Sequence, residues 1–109
     1  MAFDPKLADL LRAEITGHGT IVEKKMFGGL AFMLNGNMAM GTYQDGGMFR
    51  VSKESAADAL AVQGTSTMTQ GGREMAGFIL TKAEVVFDAA RRKKLAALAL
   101  TYVKSLPPK

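Results

Sequence analysis

The segment from Lys24 to Val51, KKMFGGLAFMLNGNMAMGTYQDGGMFRV, constrains the fold of this chain more than any other part of it. Two turn signals interrupt the segment, Asn35-Gly36 and Asp45-Gly46-Gly47, and short apolar runs lie on either side of each turn. The pattern predicts an antiparallel meander, whose strands are expected to run over residues 30–34, 38–43 and 48–51.

The first strand of this meander, Leu30–Leu34, is apolar at every position. A strand covered on one side only would alternate apolar with polar residues, so both faces of this strand are predicted to be buried. If Asn35-Gly36 forms a two-residue loop and the second loop is even, directly opposed residues share a face. One face then holds Ala31, Met33, Met38, Met40, Thr42, Phe49 and Val51, and the other holds Leu30, Phe32, Leu34, Ala39, Gly41, Tyr43, Met48 and Arg50. An odd loop at residues 45–47 would swap the assignments of the third strand and would still leave apolar groups on both faces.

The helices of a chain of 109 residues are expected to cover only one face of such a sheet. We predict that the other face is an interface, and a second copy of the chain is the economical occupant because two-fold dimers are the commonest oligomers. The candidate interface residues are Met33, Met38 and Met40, whose flexible thioether side chains adapt to varied surfaces. A protein partner, a ligand groove, or a curled sheet that closes over its own second face are alternative explanations.

Helix and strand signals on either side of the meander complete the predicted fold. Asp4-Pro5 is a typical helix start, and Ser52 is positioned to cap a short second helix. Residues 21–26 predict a first strand or an extended lead-in, and residues 65–70 and 75–80 predict two further strands. The last helix begins at Thr81 or, in the favoured interpretation, at Asp88.

These elements predict an α+β fold, a two-layer α/β sandwich in which an antiparallel sheet carries helices on one face. The element order is α, three or four β, α, two β, α. No linker, internal repeat or low-complexity segment interrupts the chain, so residues 1–109 are expected to form one domain.

Composition excludes several classes of protein. The chain has no cysteine, which removes disulfides, thiolate metal sites and thiol chemistry. It has no apolar run of about 18 residues and no basic-then-apolar N-terminal segment, so neither a membrane span nor a signal peptide is expected. We therefore expect a cytoplasmic protein that does not enter a membrane.

The sequence motifs predict no catalytic residue, no metal site and no cofactor. His18, the only histidine, lies between two glycines in a predicted loop, with no nearby acid to orient it as a general base. The glycines of Met26-Phe27-Gly28-Gly29 lack the spacing of a phosphate-binding loop and lead into a strand instead of a helix. A non-enzymatic protein is the favoured interpretation. An enzyme of the RNA methyltransferase type is an alternative for which no cofactor motif is seen.

Basic residues supply a second alternative, although the net charge of +4 is modest. The pair Lys24-Lys25 and the run Arg91-Arg92-Lys93-Lys94 are weak candidates for contact with a nucleic-acid backbone. Four consecutive helical positions span about 400° of rotation, so the run circles its helix instead of lining one stripe. A nucleic-acid-binding or RNA-modification accessory is therefore an alternative that requires the two clusters to converge.

Several segments together resemble the TfoX (Sxy) N-terminal domain family. The resemblance is carried by MFGGLAFMLNGNMAMG, by the stretch Gly72–Phe78 and by the terminal Ser105–Lys109, and it extends over roughly residues 3–109. Its most specific element, the family motif, consists of Met26, Phe27, Gly28 and Gly29 followed by the Asn-Gly hairpin. The resemblance implies a two-layer domain with an antiparallel sheet that often pairs into dimers.

Larger members of that family carry a second, helical domain and act in competence and transcription regulation, whereas this chain is expected to correspond to the first domain alone. The family offers no catalytic set that transfers to these residues. We therefore predict a small non-enzymatic module for regulatory protein contacts, in the manner of the N-terminal domain of TfoX competence regulators, working as a homodimer.

Overall fold

The computed structural model describes residues 4–26 and 28–109, and over these ranges the chain forms a six-stranded sheet and four helices. The helices are α1 (Pro5–Ile15), α2 (Ala56–Leu60), α3 (Ala83–Phe87) and α4 (Ala89–Lys104). The strands are β1 (Ile21–Met26), β2 (Gly29–Leu34), β3 (Asn37–Tyr43), β4 (Gly46–Arg50), β5 (Thr65–Gln70) and β6 (Arg73–Thr81).

The sheet order is β1-β2-β3-β4-β6-β5, and every neighbouring pair is antiparallel. The predicted α+β class with an antiparallel sheet is confirmed, and residues 21–26 form a strand. Strands β1 and β5 are the two edges of the sheet. None of the helices described is long and apolar enough to cross a membrane.

Both long helices begin where the sequence places a capping aspartate. The Asp4 carboxylate accepts a hydrogen bond from the Lys6 amide at 2.9 Å, and Pro5 occupies the first turn of α1. The Asp88 carboxylate accepts from the amides of Ala90 and Arg91 at the start of α4. The favoured start of the last helix at Asp88 is thus confirmed.

The alternative helix start at Thr81 is wrong, although a helix does lie close by. Thr81 ends β6, and its hydroxyl accepts a hydrogen bond from the Gly47 amide at 3.1 Å. The separate five-residue helix α3 follows, with Val85 and Val86 buried in the core. Tertiary packing of these two β-branched side chains overrides their weak helix propensity.

The larger apolar core lies between the sheet and the helices. It includes Leu11 and Ile15 of α1, Leu95 and Ala99 of α4, and the side chains that the sheet presents to them. From the strands it takes Phe32, Leu34, Ala39, Met40, Phe49 and Ile79. This is the helix-covered face of the sheet.

The opposite face carries a second buried cluster, which we call the methionine face. Ala31, Met38, Met48 and Met68 are buried there, and Met33, Tyr43, Met75, Phe78 and Leu80 pack against them. Both faces of the meander are thus apolar, as expected. The predicted assignment of residues to faces, however, is wrong for several residues.

A β-bulge is the cause of the wrong assignment. Met33 pairs with Met38 as expected, but Phe32 pairs with Met40, which leaves Ala39 as an extra residue in β3. Met40 therefore lies in the helix-covered core with no exposed surface, instead of sharing a face with Met33 and Met38. Phe49 and Val51 lie with Met40 in that core, whereas Met48 lies on the methionine face.

The methionine face is shielded by the curl of the sheet itself. Met68 belongs to the edge strand β5, on the face that carries no helix, yet only 2% of it is exposed in a single chain. An edge residue on the bare face of a flat sheet would be open to solvent. We infer from this burial that the sheet bends towards this face, as the curled-sheet alternative describes, and Met38 and Met48 are buried in the same cluster.

Candidate interaction surface

The edge strand β1 carries exposed apolar surface beside the methionine face. Five of its six residues are exposed, and its pairing with β2 runs without a shift from Ile21↔Leu34 to Met26↔Gly29. Since successive side chains alternate between faces, Ile21, Glu23 and Lys25 lie on the helix-covered side and Val22, Lys24 and Met26 on the other.

The helix-covered side of β1 is tied to α1 by one arginine. The Arg12 guanidinium donates to both carboxylate oxygens of Glu23, at 2.5 Å and 2.9 Å, and also to Asp9 at 2.7 Å. It also lies 5.5 Å from the centre of the Phe32 ring. The hydrogen bond from Arg12 lowers the pKa of Glu23, and the same bond raises the pKa of Arg12. Both groups are therefore charged at neutral pH and hold β1 beneath the helix.

The other side of β1 extends the methionine face to the rim of the molecule. Val22 is 47% exposed and Met26 is 36% exposed, and they are two of the four large apolar residues with substantial exposure in the described ranges. Val22 pairs directly with Met33, which packs against the buried methionine cluster. We call Val22 and Met26 the apolar rim. The apolar surface is thus continuous from the cluster to an open strand edge.

The predicted interface residues occupy three different environments. Met33 is partly buried beside the apolar rim, Met38 is 8% exposed within the methionine face, and Met40 has no exposed surface. Met33 is the candidate best placed to contact a partner. An interface role for Met33 and Met38 remains a prediction, and that for Met40 would require the helix-covered core to open.

The family motif lies at the turn that joins β1 to β2. Met26 is the last residue of β1, Gly28 has φ +72°, and Gly29 begins β2. A β-carbon at Gly29 would lie 2.4 Å from the Thr42 carbonyl oxygen, so this position requires glycine. The fourth motif residue, Phe27, lies outside the described residues. The described motif residues thus lie where β1 and β2 meet, and Gly29 packs closely against β3.

The basic run at the start of α4 is bound into the protein by ion pairs. Arg91 donates to Asp88 at 2.7 Å and to the Gln63 carbonyl at 3.1 Å, and hydrogen bonds from Arg91 lower the pKa of Asp88. Arg92, 9% exposed, donates to Glu14 at 2.9 Å and to the Val86 carbonyl at 2.7 Å. These arginines connect helices and loops instead of presenting an open cationic stripe.

The structure separates Arg91 of the basic run from the basic pair on β1. Arg91 contacts Gln63, which lies just before β5 at one edge of the sheet. Lys24 and Lys25 lie on β1 at the other edge, and they are on opposite faces of that strand. The convergence that a shared nucleic-acid contact requires is absent between Arg91 and this pair.

A groove of about 500 Å³ between α1 and α4 contains the single histidine. His18 Nδ1 lies 3.4 Å from the Lys104 ammonium nitrogen, and Lys93 and Glu14 line the same groove. The Glu14 carboxylate already accepts from both Arg92 and Lys93. Within residues 4–26 and 28–109, no three acidic or histidine side chains are grouped as metal ligands would be.

Sequence reasoning did not single out the β1 edge, although a signal for it exists. The strand IVEKKM mixes apolar residues with three consecutive charges, and charged side chains are typical of strands at a sheet edge. That pattern alone does not say which edge a strand occupies or that its apolar residues stay exposed. The strand order and the burial supply both facts.

The architecture defines a small α+β domain in which a curled antiparallel sheet is covered by helices on one face. A family model confirms the resemblance seen in the sequence: the TfoX N-terminal domain matches residues 13–102, which is most of the chain. This chain belongs to that family. No curated protein matches it.

Proposed function

We propose that this protein is a small, non-enzymatic protein-interaction module that works as a homodimer. The observation that supports the dimer best is the apolar rim on an unpaired strand edge, where Val22 and Met26 stay exposed beside the methionine face. Such an edge offers both apolar contact and free backbone groups to another chain.

The curl of the sheet changes the reason for expecting a partner. A flat sheet would have needed a second molecule across its whole bare face, whereas here the buried methionines are already shielded within one chain. The partner is therefore required at the rim only. A contact of this size belongs to the weak end of protein interfaces, below about 1,200 Å² of total buried surface.

The proposed role is regulatory and cytoplasmic. Its support is membership of the TfoX N-terminal domain family, together with the regulatory role of larger members that the sequence resemblance implies. We propose that this chain contributes the interaction domain of such regulation. The separation of Arg91 from Lys24 and Lys25 gives no support to the nucleic-acid alternative.

Light scattering coupled to size exclusion tests the dimer directly. The monomer has a mass of 11.6 kDa, and we expect the average mass to rise towards twice that value as the loaded concentration increases. Because the contact is weak, the rise is expected at micromolar to millimolar concentrations. A mass that stays at the monomer value throughout this range contradicts the proposed homodimer.

A deletion of the gene in its own host tests the regulatory role. We expect the deletion to change the transcript levels of a defined set of genes, and we expect the wild-type chain to restore them. The matched control is a chain with Val22→Lys and Met26→Lys, which places charge on the apolar rim. Unchanged transcript levels in the deletion strain contradict the regulatory part of the proposal.

A further inference from the structure

We propose that two copies of this chain pair through β1 in antiparallel orientation, with the two-fold axis at Lys24. The two six-stranded sheets then join into one continuous sheet with both sets of helices on the same side. This inference rests on the proposed homodimer and specifies its interface. Backbone groups, apolar side chains and charges of β1 each support it.

The backbone of β1 has a defined outward hydrogen-bonding pattern. The Asn35 amide donates to the Thr20 carbonyl at 2.8 Å, in the same register as the β1–β2 ladder. Hydrogen-bonded and non-hydrogen-bonded pairs alternate along an antiparallel ladder, so Val22, Lys24 and Met26 direct their backbone groups to β2. The amides and carbonyls of Ile21, Glu23 and Lys25 therefore point away from the sheet. Over residues 4–26 and 28–109 these groups have no intramolecular hydrogen-bond partner.

This pattern limits the registers in which β1 pairs with a second β1. Outward-pointing residues must face outward-pointing residues for their amides and carbonyls to bond. Placing the axis at Lys24 pairs Glu23 with Lys25 of the partner subunit, and by symmetry Lys25 with Glu23 of the partner subunit. Both pairs are hydrogen-bonding positions, so each one exchanges two backbone hydrogen bonds.

The side chains favour the register centred on Lys24 over its neighbours. Val22 then lies directly opposite Met26 of the partner subunit, so each apolar rim covers the other. Glu23 lies opposite an unlike charge. Each of the three registers places one like-charge pair on the axis, namely Lys24, Glu23 or Lys25 against itself. Only the register centred on Lys24 adds two pairs of opposite charge and covers both apolar rims.

The other edge of the sheet does not offer the same interface. Strand β5 carries threonine, serine and glutamine, and its pairing with β6 is interrupted between Thr67 and Thr69. A bulged, polar edge is a poor template for pairing. The second copy is therefore assigned to β1.

Engineered disulfides test this register in a chain that has no cysteine of its own. In the proposed dimer the two Lys24 residues form a non-hydrogen-bonded pair with Cα atoms about 4.5 Å apart, within the disulfide range. We expect Lys24→Cys to form an intermolecular disulfide at least about tenfold faster than Thr69→Cys, because the dimer raises the effective thiol concentration. Thr69→Cys is the matched control, since Thr69 is an exposed residue of the other edge strand.

The outcomes separate this inference from the proposed function. If light scattering shows a dimer but Lys24→Cys cross-links no faster than Thr69→Cys, the β1 register is overturned and the homodimer stands. If the wild-type chain remains monomeric at every concentration, the homodimer and this inference both fail. A faster reaction of Glu23→Cys than of Lys24→Cys would assign the axis to Glu23 and overturn the register proposed here.

Charge variants give an independent test without a covalent bond. The axis places Lys24 opposite Lys24, a like-charge pair that weakens association, so Lys24→Gln should tighten the dimer about two- to fivefold. Lys25→Glu should weaken the dimer by a similar or larger factor. In this variant Glu23 of each subunit would lie opposite a glutamate of the other, which makes two like-charge pairs. Lys94→Glu, an equal charge change at an exposed position of α4, is the control and should change the dissociation constant little. A Lys24→Gln variant that dissociates more readily than wild type contradicts the proposed axis.

Discussion

The two edge strands of this sheet differ in which apolar side chains they expose, although an arginine from a helix makes hydrogen bonds at each edge. At β1, Arg12 of α1 binds the Glu23 carboxylate, and the strand is otherwise regular with an exposed apolar rim. At β5, Arg91 of α4 binds the Gln63 carbonyl just before the strand, and the strand buries Met68 where its pairing breaks.

Because of this difference we call β5 the closed edge, which discourages pairing with another chain, and β1 the open edge, which permits it. Strand β5 directs its one methionine into the curled methionine face and leaves polar residues outside, which discourages pairing with another chain. Strand β1 directs no fully buried side chain inward, and its apolar residues Val22 and Met26 stay exposed. Stability is therefore expected to depend more on β5, and association more on β1.

The largest effect expected from this comparison is the loss of a methionine side chain at the closed edge. Met68→Ala removes a side chain that is 2% exposed and leaves a cavity, so we expect a loss of about 2–4 kcal/mol in the free energy of unfolding. The matched variant at the open edge is Met26→Ala, where 36% of the residue is already exposed and the loss should be below about 1 kcal/mol. Urea denaturation of both variants measures the difference, and equal losses would show that the two edges do not differ in burial.

A smaller loss of stability is expected when the Arg91 contacts beside β5 are disrupted. Asp88→Ala removes both the cap of α4 and the carboxylate that holds the Arg91 guanidinium, so the unfolding midpoint should fall by less than it does for Met68→Ala. Asp88→Asn keeps a capping oxygen but loses the charge, and it should retain much of the stability. If Asp88→Asn is as damaging as Asp88→Ala, the ion pair with Arg91 outweighs the cap.

The ion pair between Arg12 and Glu23 at β1 is expected to contribute less to global stability and more to the local order of this strand. The Arg12 and Glu23 side chains are 39% and 36% exposed, so solvent screening limits Arg12→Ala to about 0.5–1 kcal/mol. Amide hydrogen exchange should nevertheless accelerate in β1 more than in β5, because only β1 loses a tether. Arg12→Lys is the control, since it keeps the charge but loses the bidentate hydrogen bonding to the Glu23 carboxylate. Unchanged exchange in β1 would mean that pairing with β2 alone holds the strand.

The smallest effect is a change in stability with pH. Hydrogen bonds from Arg12 and Arg91 hold the folded-state pKa values of Glu23 and Asp88 below their ordinary values of 4.5 and 3.8. Their contribution is therefore complete above these unfolded-state values and is lost as the pH falls through the lower folded-state values. We expect Glu23→Gln with Asp88→Asn to flatten the decline in the unfolding midpoint between about pH 5 and pH 2. An identical decline in wild type and variant would assign acid sensitivity to other carboxylates.

Local signals in the sequence predicted much of this fold. The Asn35-Gly36 hairpin, the caps at Asp4 and Asp88 and the apolar character of both sheet faces depend on near neighbours in the chain. Helix α3 was not predicted, because Val85 and Val86 have weak helix propensity and only their burial against the core compensates for it.

The features that position the candidate site depend on contacts that are distant in sequence. The bulge at Ala39 follows no turn signal, and without it Met40 would face the same way as Met38. The curl of the sheet is a property of all six strands together, so no single segment encodes the burial of Met68. Strand β1 could be recognised as a strand, but its position at an edge is set by the order of the other five.

The bulge in β3 also has a consequence for how the protein unfolds. Within three consecutive residues this strand supplies Met38 to one apolar cluster and Ala39 and Met40 to the other. Neither cluster can come apart without displacing the backbone that the other needs. The two clusters are therefore expected to melt in a single cooperative transition, in which calorimetric and van't Hoff enthalpies agree.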